Sequence, residues 1–246
     1  MLEFDAAART ALEEVDSLHD RVGALGETDL TRPTRLEGWG VATLVRHVAA
    51  AMWQQAEAFH RVRLGIPEAP TFASVADELP LAEALQISRG HLVAGLTAVT
   101  PGTDPVVPLP FASLPASLAV QLLLIEYGFH RNDLLAALGD EQPLRPEVAA
   151  VQVELLPAFL PLAATRLADE GAGFRLVAPT TTTTVVSRDG SWQTGEPLPD
   201  LACEIRGDDS SIALFALGRV GADHPSLEVE GPAALAKGFK DFFPGP

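Results

Sequence analysis

Two histidines and one glutamate have the residue types and spacing that metal chemistry requires. Glu126 and His130 stand four positions apart in the apolar segment Leu-Leu-Leu-Ile-Glu-Tyr-Gly-Phe-His, so on a helix they share one face, one turn apart. His47 lies in a second segment that is also predicted to be helical and to pack against the first. Two imidazoles and one carboxylate leave coordination positions open, which is typical of catalytic rather than structural zinc sites.

A metal-free interpretation of Glu126 is also open from the sequence. Polar pairs at this spacing occur by chance on many helices, so the spacing alone is weak evidence. The apolar neighbours predict that Glu126 is largely buried, where an unpaired carboxylate is unfavourable. A hydrogen bond to a histidine, or an ion pair with Arg46 or Arg131, would satisfy it without a metal.

Charge and hydropathy restrict the possible partners. The net charge of −16 disfavours nucleic acid, which requires clustered Lys and Arg. It also repels anionic substrates, so such a substrate needs a local cation at its site. The longest apolar stretch, residues 114–125, is interrupted by polar residues and proline and is shorter than the roughly 20 residues of a membrane span. The acidic N-terminal segment does not have the pattern of a secretory signal, so we expect a cytoplasmic protein with no membrane partner.

The single cysteine excludes an internal disulfide and a cysteine-based zinc site. Cys203 lies in Leu-Ala-Cys-Glu-Ile-Arg, where period-two alternation places it on one face of a strand with Leu201 and Ile205. We therefore predict that Cys203 is a small core residue. Any reactive thiol is expected to come from outside the chain.

The hydrophobic periodicity predicts two domains of different kinds. Long amphipathic helices separated by Gly- and Pro-containing loops are predicted over residues 2–25, 40–64, 81–99 and 116–138. The Pro-rich stretch 101–115 is predicted to be a surface connection. Four such helices indicate a four-helix bundle, in which metal sites are formed by inward-facing side chains.

A linker over residues 139–146 separates the bundle from a segment of different composition. A helix predicted over residues 147–170 contains Pro157 and Pro161, so it should kink or break. The short strands and helices after it predict a small α+β unit. The expected domains are residues 1–145 and 146–246, and the expected fold class is a two-domain α+β protein.

Motifs in both halves resemble the mycothiol-dependent maleylpyruvate isomerase family. The motifs, in chain order, are Leu36-Glu37-Gly38-Trp39-Gly40 with His47, then Glu126-x-x-x-His130-x-x-Asp133-Leu134, Gly190-x-Trp192, Leu214-x-x-x-Gly218-Arg219 and Phe242-Phe243-Pro244. The resemblance implies a DinB-like metal-binding four-helix bundle followed by a small C-terminal α+β domain. It also implies that His47, Glu126 and His130 are the metal ligands.

The resemblance further implies an enzyme with mycothiol as its thiol cosubstrate and a divalent metal, for which zinc is the default although iron and nickel suit the same ligands. In an isomerase, the metal-bound sulfur of mycothiol adds to the cis double bond of maleylpyruvate, the new single bond rotates, and elimination yields fumarylpyruvate. In an S-transferase, the thiolate attacks an electrophile and stays attached. The expected partners are a low-molecular-weight thiol and a small electrophilic or carboxylate substrate.

Two further residues are candidates for the catalytic site. Asp133 could orient a metal ligand, or it could be a surface residue of the helix. Arg219 could bind a substrate carboxylate with its planar fork, or it could bind the carbonyl groups at a helix end. Asn132 stands where the family often has a large residue, which predicts an altered pocket wall and leaves the substrate open.

Other aromatic and imidazole side chains have simpler interpretations. Trp39 and Trp53 are predicted to pack in the bundle rather than to hold a substrate. The remaining histidines have no partner at ligand spacing: His19, His60, His91 and His224. The alternative function is a non-catalytic binding protein with a structural metal, which a fourth protein ligand would favour.

Overall fold

The computed structural model describes residues 1–71, 79–195, 197 and 201–244. The chain divides into two compact units, Leu2–Gln142 and Pro143–Pro246, with Met1 grouped with the second. Long helices form the first unit, and a five-stranded sheet with flanking helices forms the second. The predicted α+β class is therefore confirmed.

The first unit is a four-helix bundle. Its long helices are α1 (Phe4–Gly23), α3 (Val41–Leu64), α4 (Leu81–Leu96) and α5 (Ala116–Ala137), with the short α2 (Glu27–Leu30) between the first two. α3 packs chiefly against α4 and α1 chiefly against α5, while α3 also contacts α5. Each long helix buries an apolar stripe in the bundle, which stabilises it far more than intrinsic helix propensity does.

α3 begins and ends at glycines. Gly40 takes the N-cap position in extended conformation, and Gly65 ends the helix with φ +66°, a left-handed conformation that glycine adopts without a steric penalty. Between them, Leu44, Val48 and Met52 are fully buried at four-residue spacing. His47 lies beside this apolar stripe and keeps part of its surface exposed.

The prediction that residues 101–115 are only a surface connection is wrong. This segment contains a small hairpin of β1 (Val106–Pro108) and β2 (Ser113–Pro115). Val107 and Leu109 are buried, and β1 packs against α3. Strands of three residues flanked by proline are too short to produce a clear alternation, so the sequence pattern did not indicate them.

The second unit begins with α6 (Pro146–Ala163). The helix continues through Pro157 and ends two residues after Pro161, with Ala164 extended, so the predicted end at residue 170 is wrong. Proline removes a backbone donor and clashes with the preceding turn, so two prolines four residues apart limit how far a helix extends.

Among the described residues, α6 is the one helix that is long and apolar enough to cross a membrane by length and composition, with a mean hydropathy of 1.2 over 18 residues. It packs against α7 (Asp209–Ala216) and two strands of the sheet, and Val148, Val153 and Leu156 are fully buried. Core helices of water-soluble proteins share this length and composition. A single helix of this kind is therefore weak evidence for a membrane span.

One sheet forms the centre of the second unit. Its strands are β3 (Ala172–Val177), β4 (Thr182–Arg188), β5 (Ser191–Thr194), β6 (Leu201–Arg206) and β7 (Glu228–Glu230). The order is β5-β4-β3-β6-β7, with β3 and β6 parallel and the other neighbours antiparallel. The β4–β5 hairpin turns at Asp189 and Gly190, both with positive φ, as the favoured two-residue hairpin turn requires.

Helices α7 (Asp209–Ala216), α8 (Ala233–Lys237) and α9 (Phe239–Phe242) complete the second unit. An aromatic cluster fills its core, in which Phe174 contacts Trp192, Phe239 and Phe243. Cys203 is fully buried and carries a free thiol. The prediction that Cys203 is a core residue is confirmed.

Candidate metal centre

The structure brings the three predicted metal ligands together. His47 is on α3, and Glu126 and His130 are on α5. Nε2 of His47 lies 2.9 Å from Oε1 of Glu126, and Nε2 of His130 lies 3.3 Å from the same oxygen. One donor atom from each residue lies within 4.8 Å of the other two, so a single divalent ion could bind all three after small side-chain movements.

The three donors differ in their access to solvent. The side chains of His47, Glu126 and His130 are 40%, 29% and 9% exposed. His130 therefore forms the inner side of the donor set, and His47 the outer side. Among the described residues, the donor set contains three protein side chains, which suits a site with open coordination positions.

The three groups also interact strongly with one another. Burial alone would raise the pKa of Glu126, but hydrogen bonds with His130 and His47 outweigh it and hold the pKa well below its usual range. Burial alone would lower the pKa of His130, but hydrogen bonds with Asp133 and Glu126 raise it to about 9. Glu126 is thus a carboxylate at neutral pH and can bind a cation directly. His130 must lose a proton before it can bind a metal cation.

Both arginines considered as partners of Glu126 bind elsewhere. Arg46 donates to the backbone carbonyl of Leu79 at 3.0 Å. Arg131 donates to Oγ of Ser17 at 2.8 Å. The ion-pair interpretation of Glu126 is therefore wrong, and its described partners are the two histidines.

Asp133 lies directly behind His130. Its Oδ2 atom is 3.3 Å from Nδ1 of His130, and its side chain is fully buried, which excludes the alternative of a surface residue. Nε of Arg35 donates to Oδ1 of Asp133 at 2.9 Å. Asp133 is thus held between a cation and a metal-ligand candidate, in the position from which carboxylates orient metal-binding histidines.

Asn132 does not form part of an open wall. Its side chain is fully buried, accepts a hydrogen bond from Arg35 and donates one to the backbone carbonyl of Gln142. The expected effect of Asn132 on a pocket wall therefore has no support. The residue instead belongs to the network behind the donor set.

Sequence reasoning missed the contact between Trp39 and the donor set. The indole ring is 4.7 Å from the ring of His47 and 6.2 Å from that of His130, nearly parallel to the latter. The available signal was the position of Trp39, immediately before the glycine that begins α3. A residue there lies at the same end of α3 as His47.

A second histidine cluster lies elsewhere in the bundle. Nε2 of His91 is 2.7 Å from Oε1 of Glu57, and its ring stacks on Trp53 at 4.1 Å and lies 4.8 Å from that of His60. Glu57 is on α3 and His91 is on α4, so this contact joins two helices and is not a pair at ligand spacing along the sequence. Even so, among the described residues His47, Glu126 and His130 are the one group whose geometry suits a metal.

Arg219 lies in the second unit, just after α7. Its Nη1 atom donates to the backbone carbonyl of Leu217 at 2.9 Å, and its backbone N–H donates to the carbonyl of Leu214 at 2.8 Å. Gly218 provides the positive φ, +73°, that ends the helix before it. Arg219 thus binds carbonyl groups at the end of α7, which is the second of the two roles that the sequence left open for it.

Comparison with known proteins agrees with the architecture. Residues 11–135, just over half of the chain, match the family described as the mycothiol maleylpyruvate isomerase N-terminal domain. The chain therefore belongs to the mycothiol-dependent maleylpyruvate isomerase family, a family of enzymes. The resemblance found from its motifs is confirmed. No curated protein matched the chain.

Two solved structures share the fold. One is a crystal structure of a mycothiol-dependent maleylpyruvate isomerase, with 19% identity and a TM-score of 0.64, and the match covers 94% of this chain and 96% of the other. The second is a histidine-to-alanine variant of an enzyme of the same name, with 17% identity, a TM-score of 0.65 and the same coverage. At these identities the likeness shows the fold.

Proposed function

We propose that this protein is a metal-dependent enzyme that uses mycothiol as its thiol cosubstrate and acts on a small electrophile. The observation that carries the proposal is the convergence of His47, Glu126 and His130 in a chain of this family. The reaction is either cis–trans isomerisation of a maleylpyruvate-type substrate or transfer of the thiol sulfur to an electrophile. Zinc is the metal proposed, since two imidazoles and one carboxylate suit it.

The chain's own residues prepare the metal site. Glu126 contributes a carboxylate that is ionised at neutral pH, because the two histidines stabilise its charged form. His130 directs Nε2 towards Glu126 while Nδ1 faces Asp133. His47 completes the set from the more exposed side. A divalent ion held there would supply the Lewis acidity that keeps a coordinated thiol in its thiolate form at neutral pH.

The sulfur in this proposal comes from the cosubstrate. Cys203 is fully buried in the sheet of the second unit, and burial raises the pKa of its thiol, so it is poorly suited to nucleophilic attack. In the isomerase reaction, the cosubstrate thiolate adds to the cis double bond, the carbon–carbon single bond rotates, and elimination releases the trans product and the thiolate. In the transferase reaction, the new carbon–sulfur bond remains and the leaving group departs.

Arg219 is proposed to bind a carboxylate of the substrate. A guanidinium binds a carboxylate through two parallel hydrogen bonds, and a chain with a net charge of −16 needs local positive charge to bind an acid.

Turnover by the zinc-loaded protein tests this function. The substrates are maleylpyruvate and a panel of electrophiles, each with and without mycothiol. An isomerase converts maleylpyruvate without consuming mycothiol, whereas a transferase consumes one mycothiol for each product formed. Glu126→Gln should abolish either reaction, while His60→Ala, on the same helix as His47, should retain it. Zinc binding without turnover of any substrate would contradict the proposal and favour a binding protein with a structural metal.

A further inference from the structure

The turn formed by residues 33–40 contacts the donor set directly through Trp39, and Arg35 of the same turn contacts Asp133 behind it. Its ends are joined by a bridge between Pro33 and Gly40, and the backbone N–H of Thr34 donates to the carbonyl of Trp39 at 2.8 Å. The hydroxyl of Thr34 donates to the same carbonyl at 2.9 Å. These bonds close the turn, so Arg35 and Trp39 are held in a fixed relation to each other.

Arg35 connects this turn to α5. Its Nε atom donates to Asp133 at 2.9 Å, its Nη1 atom donates to Glu141 at 3.1 Å, and its Nη2 atom donates to Asn132. The guanidinium is a rigid planar donor, so several bonds made at once fix its orientation. Asp133 has no exposed surface, and a buried carboxylate is held in its charged form by such a partner.

Asp133 in turn determines which nitrogen of His130 is available. A carboxylate can only accept a hydrogen bond, so Nδ1 of His130, 3.3 Å from Asp133, must be the donor. In the neutral imidazole the lone pair is then on Nε2, the atom that faces Glu126 at 3.3 Å. This is the tautomer that a metal at the donor set requires.

Trp39, at the other end of the turn, packs against both imidazoles. Its ring lies 4.7 Å from His47 and 6.2 Å from His130, and the two imidazole rings are 4.9 Å apart. A large rigid side chain in contact with both rings restricts their rotation. The same turn therefore restrains the orientation of His130 through hydrogen bonds. It also restrains the orientations of both His47 and His130 through packing.

From these contacts we infer that the 33–40 turn is a positioning element for the metal centre, in which Arg35 acts on His130 through Asp133 and Trp39 restrains His47 and His130 directly. The inference rests on the proposed metal site and adds two residues to it. Neither residue is a metal ligand, and neither is assigned contact with the substrate.

Zinc affinity of Arg35 variants tests the first half of the inference. Arg35→Gln removes the donor fork, and Arg35→Lys keeps the charge but cannot bind Asn132 and Asp133 in the same way. The matched control is Arg32→Gln, in the adjacent segment, whose arginine binds the Leu138 carbonyl and Asp29. Competition with a chromophoric chelator measures affinity, circular dichroism checks folding, and nitrogen–proton spectra of the zinc-loaded protein report the His130 Nδ1–H group.

We expect Arg35→Gln to weaken zinc binding by about 10- to 100-fold, the range typical of lost outer-shell partners. The Nδ1–H proton of His130 should exchange faster with solvent, and Arg35→Lys should show a smaller change in both. If Arg35→Gln does not fold, Arg35→Lys decides the test. Affinity within twofold of the Arg32→Gln control, or a loss of affinity with an unchanged Nδ1–H signal, would overturn the inference.

Trp39→Leu tests the second half of the inference, that Trp39 restrains the two imidazoles by packing. The matched control is Trp53→Leu, because Trp53 stacks on His91 outside the donor set. We expect several-fold weaker zinc binding for Trp39→Leu alone, and equal affinity in the two variants would overturn this half. The proposed function is tested separately by the same data. If wild-type protein binds no zinc, both proposals fall; if wild type and all variants bind it equally, only the positioning inference falls.

Discussion

Nε2 of His47 lies 2.9 Å from Oε1 of Glu126, although the two residues are 79 positions apart in the chain. The contact joins α3 to α5, which otherwise share few contacts compared with the pairs α3–α4 and α1–α5. A polar bond at this point is therefore not explained by a large packing interface. It joins two of the three side chains of the proposed metal site, one from each helix.

Metal uptake should depend on pH through His130. The pKa of this residue is raised to about 9 by its hydrogen bonds with Asp133 and Glu126, against the effect of burial. The metal must displace that proton, so apparent zinc affinity should rise about tenfold per pH unit between about pH 7 and 8.5. Chelator competition at fixed ionic strength measures this, with His91→Ala as a control that keeps the slope. An affinity independent of pH would contradict it.

Cys203→Ser should retain thiol-dependent turnover. The thiol is buried, and the reactive sulfur is proposed to come from mycothiol. The variant should lose about 1–3 kcal/mol of unfolding free energy if the hydroxyl finds no partner in the apolar core. Cys203→Ala controls for loss of the sulfur without the added hydroxyl. If both variants fold but neither has thiol-dependent activity, Cys203 takes part in the reaction.

Arg219→Lys should weaken turnover of a carboxylate substrate. The substitution keeps the charge and loses the bidentate fork, so kcat/KM should fall by the equivalent of about 1–3 kcal/mol. Metal content and mycothiol binding should not change. Arg206→Lys, in which the substituted arginine pairs with Glu204, is the control. Equal kcat/KM in wild type and Arg219→Lys would leave Arg219 as a helix-end residue only.

Lys240 should make stability depend on pH in the second unit. Burial, and then the nearby charge of Arg219, lowers its pKa from 10.5 to about 8. Between these values the folded protein binds fewer protons than the unfolded chain, so the free energy of unfolding should rise with pH. Below about pH 8, Lys240→Met should be more stable than wild type by about 1–3 kcal/mol.

Urea unfolding at pH 7 and pH 10 measures this difference. The other lysine of the chain, Lys237, is exposed, so Lys237→Met is a matched control that should show little effect. The advantage of Lys240→Met over wild type should shrink at pH 10, when Lys240 loses its charge in the folded state. The same advantage at both pH values would show that packing, rather than charge, is responsible.

The sequence was sufficient to predict that these three side chains lie together, because local rules determine much of their placement. Glu126 and His130 share one face of their helix wherever that helix packs in the fold. The apolar neighbours of His47 predict a helix that is buried on one side. The helices α1, α3, α4 and α5 were also predicted to within a few residues, since their stripes are long and glycine or proline lies near their ends.

The supporting contacts could not be predicted in the same way. Arg35 and Asp133 are 98 positions apart, and no periodic pattern indicates that a particular arginine reaches a particular carboxylate. Trp39 could be assigned to packing, but not to the two imidazoles that it packs against. Such contacts form only in the folded chain. From the sequence alone, several arginines could pair with the same carboxylate, and several side chains could pack against the same tryptophan.

The metal content of the purified protein tests the central claim most directly. Wild type, His47→Ala, Glu126→Ala and the matched control His60→Ala would be incubated with zinc, freed of unbound metal and measured by elemental analysis. We predict about one zinc ion per chain in wild type and His60→Ala, and little in the other two variants, because each loses one of three ligands. Equal zinc content in all four proteins would contradict the claim that His47 and Glu126 bind a metal.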